Sequence, residues 1–343
     1  MPPNFQLRIF VMALFMCFIT CTALASDAVR VLVPKQWEES LSDLSAAHPN
    51  LEIVTYASPG EMASRIGECD GIIGEPDESV VRASPRLRWI QARFAGMESL
   101  MWLRQFEDRG LVLTNAKILM GPQLADHAFA LLLSLTRNMR FYGDAMRDGT
   151  WDRSGGLKLL ELRDKTMLVI GLGGAGMQIA ERANAFGMRV IAIDRHDLPL
   201  MEGIAKLGRP DEILAFLPEA DVVVSAVPLT EESQNLLDAD AIAVMKQGAI
   251  VINISRGRVI NTDALTEALR SGKLGGAGLD VTEPEPLPAD HALWKMPNVI
   301  ISPHIAGFSD GRDPRTLELV RDNIGRFARG LALKNVVDLS AGY

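Results

Sequence analysis

The sequence predicts an α/β fold built on doubly wound parallel sheets. Three observations predict it: short apolar runs alternate with amphipathic stretches, the runs are apolar enough to be covered on both faces, and one run leads through a glycine-rich turn into a helical pattern. The chain has 343 residues, too many for one average domain, and 48% are hydrophobic, too many for a disordered protein. We therefore expect two domains with packed cores, meeting at a cleft.

The first series of elements covers residues 28–137. Five short apolar runs predict strands: residues 29–33, 51–55, 71–73, 89–91 and 111–114. Helical spacing predicts helices over residues 38–47 and 61–66, between these strands. The strongly apolar stretch 125–137 predicts a longer helix, entered through Gly121 and Pro122. Strands and helices in alternation favour a parallel sheet.

A second series of elements follows and resembles the first. Six further runs predict strands: residues 166–170, 189–193, 221–225, 249–253, 278–281 and 299–302. Helical patterns cover residues 177–185 and 314–331, and another begins near Asn261. The sequence contains no internal repeat or long linker, so the two series should form domains that pack closely.

The amino terminus has the pattern of a secretory signal peptide. Arg8 is the only charged residue before Asp27, residues 9–25 are mostly apolar, and Ala23-Leu24-Ala25 forms a small-x-small cleavage site. We expect residues 1–25 to be removed and the protein to be exported to a periplasm or secreted. An uncleaved membrane anchor is an alternative, because the run is barely long enough for a membrane span. A misassigned start codon is another, and would leave a cytoplasmic protein.

Charge and cysteine content exclude several classes of function. Forty-three acidic against 35 basic residues give a net charge of −8, which disfavours binding to nucleic-acid backbones. Cys17 and Cys21 lie in the amino-terminal run, so Cys69 is alone in the rest of the chain. One thiol forms neither a disulfide framework nor a cysteine zinc site, and we expect no metal.

The segment GLGGAG (171–176) predicts a dinucleotide site because it joins a predicted strand to a helical pattern. Gly171 suits a tight turn, Gly173 a close approach of backbone to a pyrophosphate, and Gly176 close packing of helix on strand. The next strand ends in Asp194, which suits a ribose 2′-hydroxyl and repels a 2′-phosphate. NAD is therefore the expected cofactor. Arg195 can neutralise a 2′-phosphate, so NADP is the alternative cofactor. A glycine-rich turn that binds no ligand is the alternative interpretation of the segment.

Three later segments supply groups suited to hydride transfer onto a ketone. Arg256 follows a predicted strand, Glu283 and Glu285 follow the next, and His304 follows the last. Carboxyl ends of parallel strands converge on one cleft, so these groups can meet there. Histidine suits proton donation, arginine suits a substrate carboxylate, and a carboxylate beside the imidazole suits control of its protonation.

The ordered segments resemble the D-isomer-specific 2-hydroxyacid dehydrogenase family. They are GLGGAG (171–176), Asp194, VPLT (227–230), NISRG (253–257), LDVTEPEP (279–286) and SPHIAG (302–307). The resemblance covers essentially all of residues 28–343. It implies a Rossmann cofactor domain, residues 121–303, inserted into a flavodoxin-like substrate domain, residues 28–120 plus 304–343. It also implies a homodimer.

The resemblance further implies roles for individual residues. Arg256 would bind substrate, His304 would be the general acid/base, and Glu285, where the family's Glu-Pro pair falls, would be its partner rather than Glu283. Backbone amides of Gly96 and Met97 would receive the substrate carboxylate. The implied cofactor contacts are Gly171, Gly173, Gly174, Ala175, Gly176, Asp194, Val227, Ile254, Ser255, Asp280 and Gly307, with Asp280 at the nicotinamide carboxamide.

Two positions depart from the family pattern. Asp126 stands where glutamate is usual and Met97 where valine is usual, so the shape of the substrate pocket is in question. His127 lies on an apolar helix, and we expect it to be structural. Arg258 is the main rival of Arg256, although it lies further from the strand.

We therefore expect an NAD-dependent enzyme that interconverts a 2-oxo acid and a D-2-hydroxy acid. A formate dehydrogenase-like enzyme is an alternative, but that enzyme has glutamine near the histidine where this chain has Glu285. A non-catalytic NADH-sensing protein of the corepressor type is another, which the joint presence of Arg256, Glu285 and His304 disfavours. The substrate's side chain is not apparent from the sequence.

Overall fold

The computed structural model describes residues 28–153 and 159–342, which form two parallel β-sheets flanked by helices. The predicted α/β fold class is thereby confirmed. The predicted signal peptide, residues 1–25, lies outside the described residues. Within the described ranges, no helix is both long and apolar enough to cross a membrane.

The first sheet has five parallel strands in the order β2-β1-β3-β4-β5. They are β1 (Val29–Pro34), β2 (Leu51–Tyr56), β3 (Gly71–Ile73), β4 (Trp89–Gln91) and β5 (Val112–Thr114). This order is the doubly wound order of flavodoxin-like folds, in which the chain reverses direction of winding between the first and third strands.

The second sheet has seven parallel strands in the order β12-β11-β10-β9-β6-β7-β8. They are β6 (Thr166–Ile170), β7 (Arg189–Ile193), β8 (Lys206–Gly208), β9 (Val222–Ser225), β10 (Ala249–Asn253), β11 (Leu274–Leu279) and β12 (Val299–Ile301). Counted from β6, the order is that of the Rossmann fold with one strand added at the edge. The crevice of such a sheet lies outside the carboxyl ends of its first and fourth strands, here β6 and β9.

The connections between strands are mostly helical. The α-helices are α1 (Glu38–Leu41), α2 (Asp43–Ala47), α3 (Pro59–Arg65), α4 (Glu78–Arg82), α5 (Gly121–Thr136), α6 (Met139–Arg147), α7 (Gly174–Ala185), α8 (Ile213–Phe216), α9 (Ala239–Val244), α10 (Thr262–Arg270) and α11 (Arg312–Ala328). The 3₁₀ helices are Lys35–Trp37, Ile66–Glu68, Glu98–Arg109, Pro210–Glu212, Leu217–Glu219, Gly257–Val259 and Ala292–Lys295.

Helix α11 returns to the first sheet after the second sheet is complete. Its Val320 and Ile324 are fully buried in the same apolar cluster as Val31 and Trp89 of the first sheet. The second sheet is therefore enclosed in sequence by segments that pack on the first. The exact boundaries, after residues 120 and 303, remain predictions.

Strand β11 differs from its prediction. It was expected over residues 278–281 but covers Leu274–Leu279, so Asp280 lies just beyond its carboxyl end. The first half of the strand was not recognised in the sequence because it contains two glycines, which usually weaken strands. Here they make room for neighbours: a Cβ added at Gly278 would lie 2.8 Å from Leu131 Cβ, so α5 packs directly on the strand.

Other elements also differ from expectation. The single helix predicted over residues 38–47 is divided into α1 and α2 at Ser42, whose hydroxyl donates a hydrogen bond to the carbonyl of Glu39 (2.8 Å). Several elements were not predicted at all, among them β8, the helices α4, α6, α8 and α9, and the 3₁₀ helix Glu98–Arg109. Strand β8 is a half-buried edge strand of three residues, too short for a period to be recognised.

Candidate active site

The glycine turn, residues 171–176, has the geometry that a dinucleotide requires. Gly171 has φ +90°, and a Cβ there would lie 2.8 Å from a Val227 methyl. A Cβ at Gly176 would lie 1.8 Å from the Gly171 carbonyl oxygen, so only glycine lets α7 approach β6 this closely. A Cβ at Gly173 would have no described atom within 4 Å. Gly171 and Gly176 thus have close neighbours, whereas the space around Gly173, at the amino terminus of α7, is open. This arrangement fits a pyrophosphate.

The third glycine of the turn has a different use. A Cβ at Gly174 would lie 2.5 Å from Ile118 Cα, so the glycine there lets two backbones pack together. Ala175 follows in the first turn of α7. The predicted cofactor contact of Gly174 and Ala175 could thus come from their backbone amides at the helix amino terminus.

Asp194 follows β7 and lies against the glycine turn. Its buried carboxylate accepts hydrogen bonds from the Leu172 N–H (2.7 Å) and the His196 N–H (2.8 Å), and His196 Nδ1 lies 3.0 Å away. Asp194 therefore holds the turn in place in addition to setting a negative charge at its rim. That charge is where the predicted ribose site requires it.

The remaining predicted cofactor contacts vary in their exposure. Ile254 and Ser255 are buried, and the Ser255 hydroxyl lies 2.7 Å from that of Ser225. Their side chains stabilise the fold, so any contact with a cofactor would use the backbone. Gly307 accepts a hydrogen bond from Gln123 Nε2 through its carbonyl (3.2 Å), and a Cβ there would have open space around it.

Asp280 organises the segment 302–306, which carries His304. Its carboxylate accepts hydrogen bonds from the Ser302 hydroxyl (2.7 Å), the Ile305 N–H (3.0 Å) and the Ala306 N–H (2.9 Å). Burial opposes ionisation, but hydrogen bonds from His127, Ser302 and these amides outweigh it and lower the pKa of Asp280 to about 2. The carboxylate is directed at the protein, and its contact with a nicotinamide remains a prediction.

His127 belongs to the same network. Its Nε2 lies 2.7 Å from the Ser302 hydroxyl and 3.4 Å from Asp280 Oδ1. The sequence predicted a structural residue, and His127 indeed contacts other side chains, but these support the His304 segment. No sequence signal links the two, because 175 residues separate His127 from Ser302.

His304 is held by both its backbone and its ring. Its backbone has φ +54°, and its N–H donates to the Asp280 carbonyl (2.8 Å). The ring Nδ1 lies 2.6 Å from Glu285 Oε1, and because a carboxylate only accepts, Nδ1 carries a proton in this pair. Nε2 is then the ring atom available to a substrate. Glu283, the rival partner, lies instead 3.3 Å from Arg258 Nε.

Arg256 lies just past β10 and reaches the loop of residues 94–97, which follows β4. Its Nε and Nη2 donate to the two carboxylate oxygens of Glu98 (2.6 and 3.2 Å), and its Nη1 donates to the Ser255 carbonyl (2.7 Å). A Cβ at Gly96 would lie 1.9 Å from Nη2, so the guanidinium packs on the backbone of this loop. Glu98 was not predicted from the sequence, because it belongs to no motif.

The loop itself offers mainly its backbone. Met97 is buried in the apolar cluster of the first sheet, so its unusual side chain is directed away from the loop surface. Gly96 has no side chain. Its close contact with Arg256 brings the loop after β4 of the first sheet to the loop after β10 of the second. The arginine and the two amides predicted to bind a carboxylate are thus adjacent.

This fold and this set of groups are those of an oxidoreductase with a nicotinamide dinucleotide cofactor. Comparison with known proteins identifies the family. Residues 129–306 match the model of the D-isomer specific 2-hydroxyacid dehydrogenase, NAD binding domain. Glyoxylate reductase of Korarchaeum cryptofilum (strain OPF8) is 34% identical over 322 residues, which cover 90% of this chain and 96% of that protein.

Solved structures agree with this assignment. A D-isomer specific 2-hydroxyacid dehydrogenase family protein from Aeromonas salmonicida has 32% identity and a TM-score of 0.78, covering 92% of this chain and 100% of that one. The NADPH-dependent glyoxylate/hydroxypyruvate reductase of Sinorhizobium meliloti, in complex with NADP and sulfate, has 27% identity and a TM-score of 0.75 at 92% and 100% coverage. The chain belongs to the D-isomer specific 2-hydroxyacid dehydrogenase family.

Family membership confirms the predicted activity in its general form. The protein is a dehydrogenase that interconverts 2-oxo acids and D-2-hydroxy acids, with an NAD(P)-binding domain. Neither the formate dehydrogenase-like nor the corepressor alternative is favoured by these relatives.

Proposed function

We propose that the protein reduces a small 2-oxo acid of the size of glyoxylate or hydroxypyruvate, with NADH as the hydride donor. The main support is the 2.6 Å contact of His304 with Glu285. His304 and Arg256 both lie at the carboxyl ends of strands of the second sheet. The similarity to glyoxylate reductase supports a small substrate.

In this mechanism each residue of the chain has one task. Arg256 and the amides of Gly96 and Met97 bind the substrate carboxylate, which fixes the orientation of the neighbouring carbonyl. NADH, which the glycine turn 171–176 and Asp194 would hold, would supply the hydride. His304 donates the proton from Nε2 to the carbonyl oxygen, so the product is the 2-hydroxy acid and the ring becomes neutral. Glu285 accepts a hydrogen bond from Nδ1 and so fixes the orientation of the ring.

A substrate panel tests the proposal. NADH oxidation is followed spectroscopically with glyoxylate, hydroxypyruvate, pyruvate and bulkier 2-oxo acids. We expect turnover that is fastest with the small acids, and a loss of roughly 10²–10⁴-fold in kcat for His304→Gln, which removes the proton donor. Turnover with none of the acids would overturn the proposal.

We propose NADH rather than NADPH because a 2′-phosphate would approach the Asp194 carboxylate. The Sinorhizobium relative with NADP shows that this fold also accepts the phosphorylated cofactor. Replacing Asp194 with Ala should reduce the preference for NADH over NADPH, mainly by lowering the KM for NADPH. A wild-type preference for NADPH would mean that Arg195 dominates the site.

We also propose that two copies form a homodimer. Several large apolar side chains are exposed in α6, in the described residues that follow it, and in the 3₁₀ helix Ala292–Lys295: Met139, Met146, Trp151, Leu159, Leu160 and Trp294. Met139 and Trp294 also line a groove beside edge strand β12. An apolar surface of this kind favours association.

Export remains a proposal based on residues 1–25. If they are cleaved, mass spectrometry of the mature protein should find Ser26 at its amino terminus, in a fraction outside the cytoplasm. Soluble cytoplasmic protein that still begins with Met1 would contradict it.

A further inference from the structure

We propose that Glu98 determines substrate specificity: it restricts the enzyme to 2-oxo acids whose only negative charge is the reacting carboxylate. This inference rests on the proposed reduction of a 2-oxo acid at Arg256 and His304. The structural basis is the paired contact between Glu98 and Arg256, which joins the first sheet to the second across the site.

The hydrogen bonds of Arg256 define how a substrate can approach it. A guanidinium has five N–H donors. Glu98 takes the Nε–H and one on Nη2, which form the side edge of the group, and the Ser255 carbonyl takes one on Nη1. These three bonds leave one N–H on each terminal nitrogen. A substrate carboxylate can therefore bind these remaining donors while Glu98 stays in place.

Glu98 remains charged beside the substrate. Partial burial opposes its ionisation, but the hydrogen bond and the charge of Arg256 outweigh that effect, and the pKa of Glu98 is lowered. A Cβ at Gly96 would lie 2.8 Å from Glu98 Oε2, so the carboxylate also adjoins the predicted carboxylate loop.

The segment 93–98 offers no surplus positive charge to compensate for Glu98. Its own arginine, Arg93, forms a second paired contact, with the Glu75 carboxylate (Nη2–Oε2 2.8 Å, Nε–Oε1 3.4 Å). Both guanidinium groups at this segment, Arg93 and Arg256, are thus matched by a carboxylate among the described residues. A second carboxylate or a phosphate on the substrate would meet Glu98 as a like charge, which is unfavourable in a partly desolvated site.

The same carboxylate is compatible with other substituents. A hydrogen atom or a small apolar group has no charge to oppose it, and a hydroxyl can donate a hydrogen bond to a carboxylate oxygen. The expected substrates are therefore singly charged, such as glyoxylate, pyruvate and hydroxypyruvate. Doubly charged acids such as oxaloacetate are excluded.

The test compares two substrates of similar shape. Oxaloacetate carries a carboxylate where 4-methyl-2-oxopentanoate carries an isopropyl group. The ratio of kcat/KM for the neutral-tailed acid over oxaloacetate is measured in wild type, Glu98→Gln and Glu98→Asp. We expect Glu98→Gln to lower this ratio by roughly 10-fold or more, and Glu98→Asp, which keeps the charge, to change it little. In wild type the ratio should also fall as salt is added, because screening weakens repulsion.

A matched control removes the same charge elsewhere. Glu52 forms an ion pair with Arg30 (2.8 Å) on edge strand β2, so Glu52→Gln also breaks an Arg–Glu pair but should leave the ratio unchanged. A role of Glu98 only in positioning Arg256 would reduce both kcat/KM values equally and leave the ratio unaltered. That result would overturn the inference.

The outcomes separate this inference from the proposed function. If Glu98→Gln turns over neither acid, the two acids are compared by binding instead. Their dissociation constants are measured by calorimetry with the NADH-loaded wild type and variant, and the ratio of these constants replaces the ratio of kcat/KM. An unchanged ratio in either measurement contradicts the role of Glu98 while the proposed function stands. Failure of the wild type to reduce any 2-oxo acid would overturn the proposed function, and the inference with it.

Discussion

His304 is positioned by two acidic residues that act on different parts of it. Glu285 contacts its ring, whereas Asp280 contacts its backbone through a carbonyl and orders the neighbouring residues through a carboxylate. The contact with Glu285 fixes which ring nitrogen carries the proton. The contacts with Asp280 fix the position of the ring. Substitutions of the two residues should therefore have different consequences.

Glu285→Gln tests the contact with the ring. The carboxylate accepts the Nδ1–H at 2.6 Å and so fixes the orientation of the ring and the nitrogen that faces the substrate. A glutamine can turn its amide nitrogen toward Nδ1, which favours the other tautomer of the ring, so kcat should fall by roughly 10²–10⁴-fold. The measurement is kcat for reduction and for oxidation at one pH. Glu283→Gln is the control, and a comparable loss in that variant instead would mean that the partner was wrongly assigned.

Asp280→Asn tests the anchor of the segment. The pKa of Asp280 is about 2, below the usual 3.8, so its ionised form stabilises the folded state above about pH 4. That contribution is lost as pH falls from about 4 through 2. At pH 7 the variant should lose roughly 2 kcal/mol in the free energy of unfolding, and kcat should fall with it because the His304 segment shifts.

Urea unfolding at several pH values measures this effect. The difference between wild type and Asp280→Asn should be constant near neutral pH and shrink as the pH falls below about 4. Asp108→Asn, a change at an exposed position, should show no such difference. A difference that does not depend on pH would show that Asp280 acts by shape and not by charge.

Residue types and local spacing predicted much of the site, and distant contacts explain what was missed. Asp194 and the glycine turn could be predicted because strand, turn and acid lie within one short segment. Glu98 could not, because its partner Arg256 lies 158 residues away in the sequence. The same holds for His127. Predicting either contact requires the positions of both sheets.

At the scale of elements, strand ends determine where the chemistry occurs. Asp194 follows β7, Arg256 follows β10, Asp280 follows β11, and His304 follows β12. The positions of Asp194, Arg256 and His304 could each be predicted from an apolar run that stops. Strand β11 was placed too late because its glycines lack the side chains that mark a strand, and the 3₁₀ helix Glu98–Arg109 was missed because it follows the active-site loop without a start signal.

The junction of β6 and α7 leads to a prediction with an internal control. Gly176→Ala places a methyl 1.8 Å from the Gly171 carbonyl oxygen, so the helix must move away from the strand. The variant should lose about 1–3 kcal/mol of stability and bind NADH more weakly. Gly173→Ala meets no described atom within 4 Å, so it should fold normally but obstruct the pyrophosphate.

Two measurements distinguish these variants. Thermal melting without cofactor reports the stability of each fold, and calorimetric titration with NADH reports affinity. We expect both quantities to fall for Gly176→Ala, and only the affinity to fall for Gly173→Ala. Normal NADH affinity in Gly173→Ala would mean that the cofactor does not approach the turn from its open side.

Polar contacts between side chains help to join the two halves of the molecule that carry the two sheets. Arg256 extends from the second sheet to Glu98 beside the first, and Arg315 of α11 donates to Gln123 of α5 (2.6 Å). The site thus depends on how the two sheets are placed. The doubly wound parallel class of the sheets was predicted from the alternating pattern, but the relative placement of the two sheets was not, because polar contacts between distant segments leave no period in the sequence.

The proposed homodimer gives a prediction at this scale. Trp151 is 89% exposed and Met146 is 77% exposed, which is costly for such large apolar groups in water unless a partner covers them. Buried aromatic residues often contribute most to an interface, so replacing both residues with Ser should weaken dimerisation by roughly 10- to 100-fold in Kd. Sedimentation velocity over a range of concentrations measures this change. Leu200→Ser, at an exposed apolar position in the connection between β7 and β8, should leave the dimer intact, because β8 is at the opposite end of the second sheet from β12. A wild-type protein that sediments as a monomer at all concentrations would show that this surface serves another purpose.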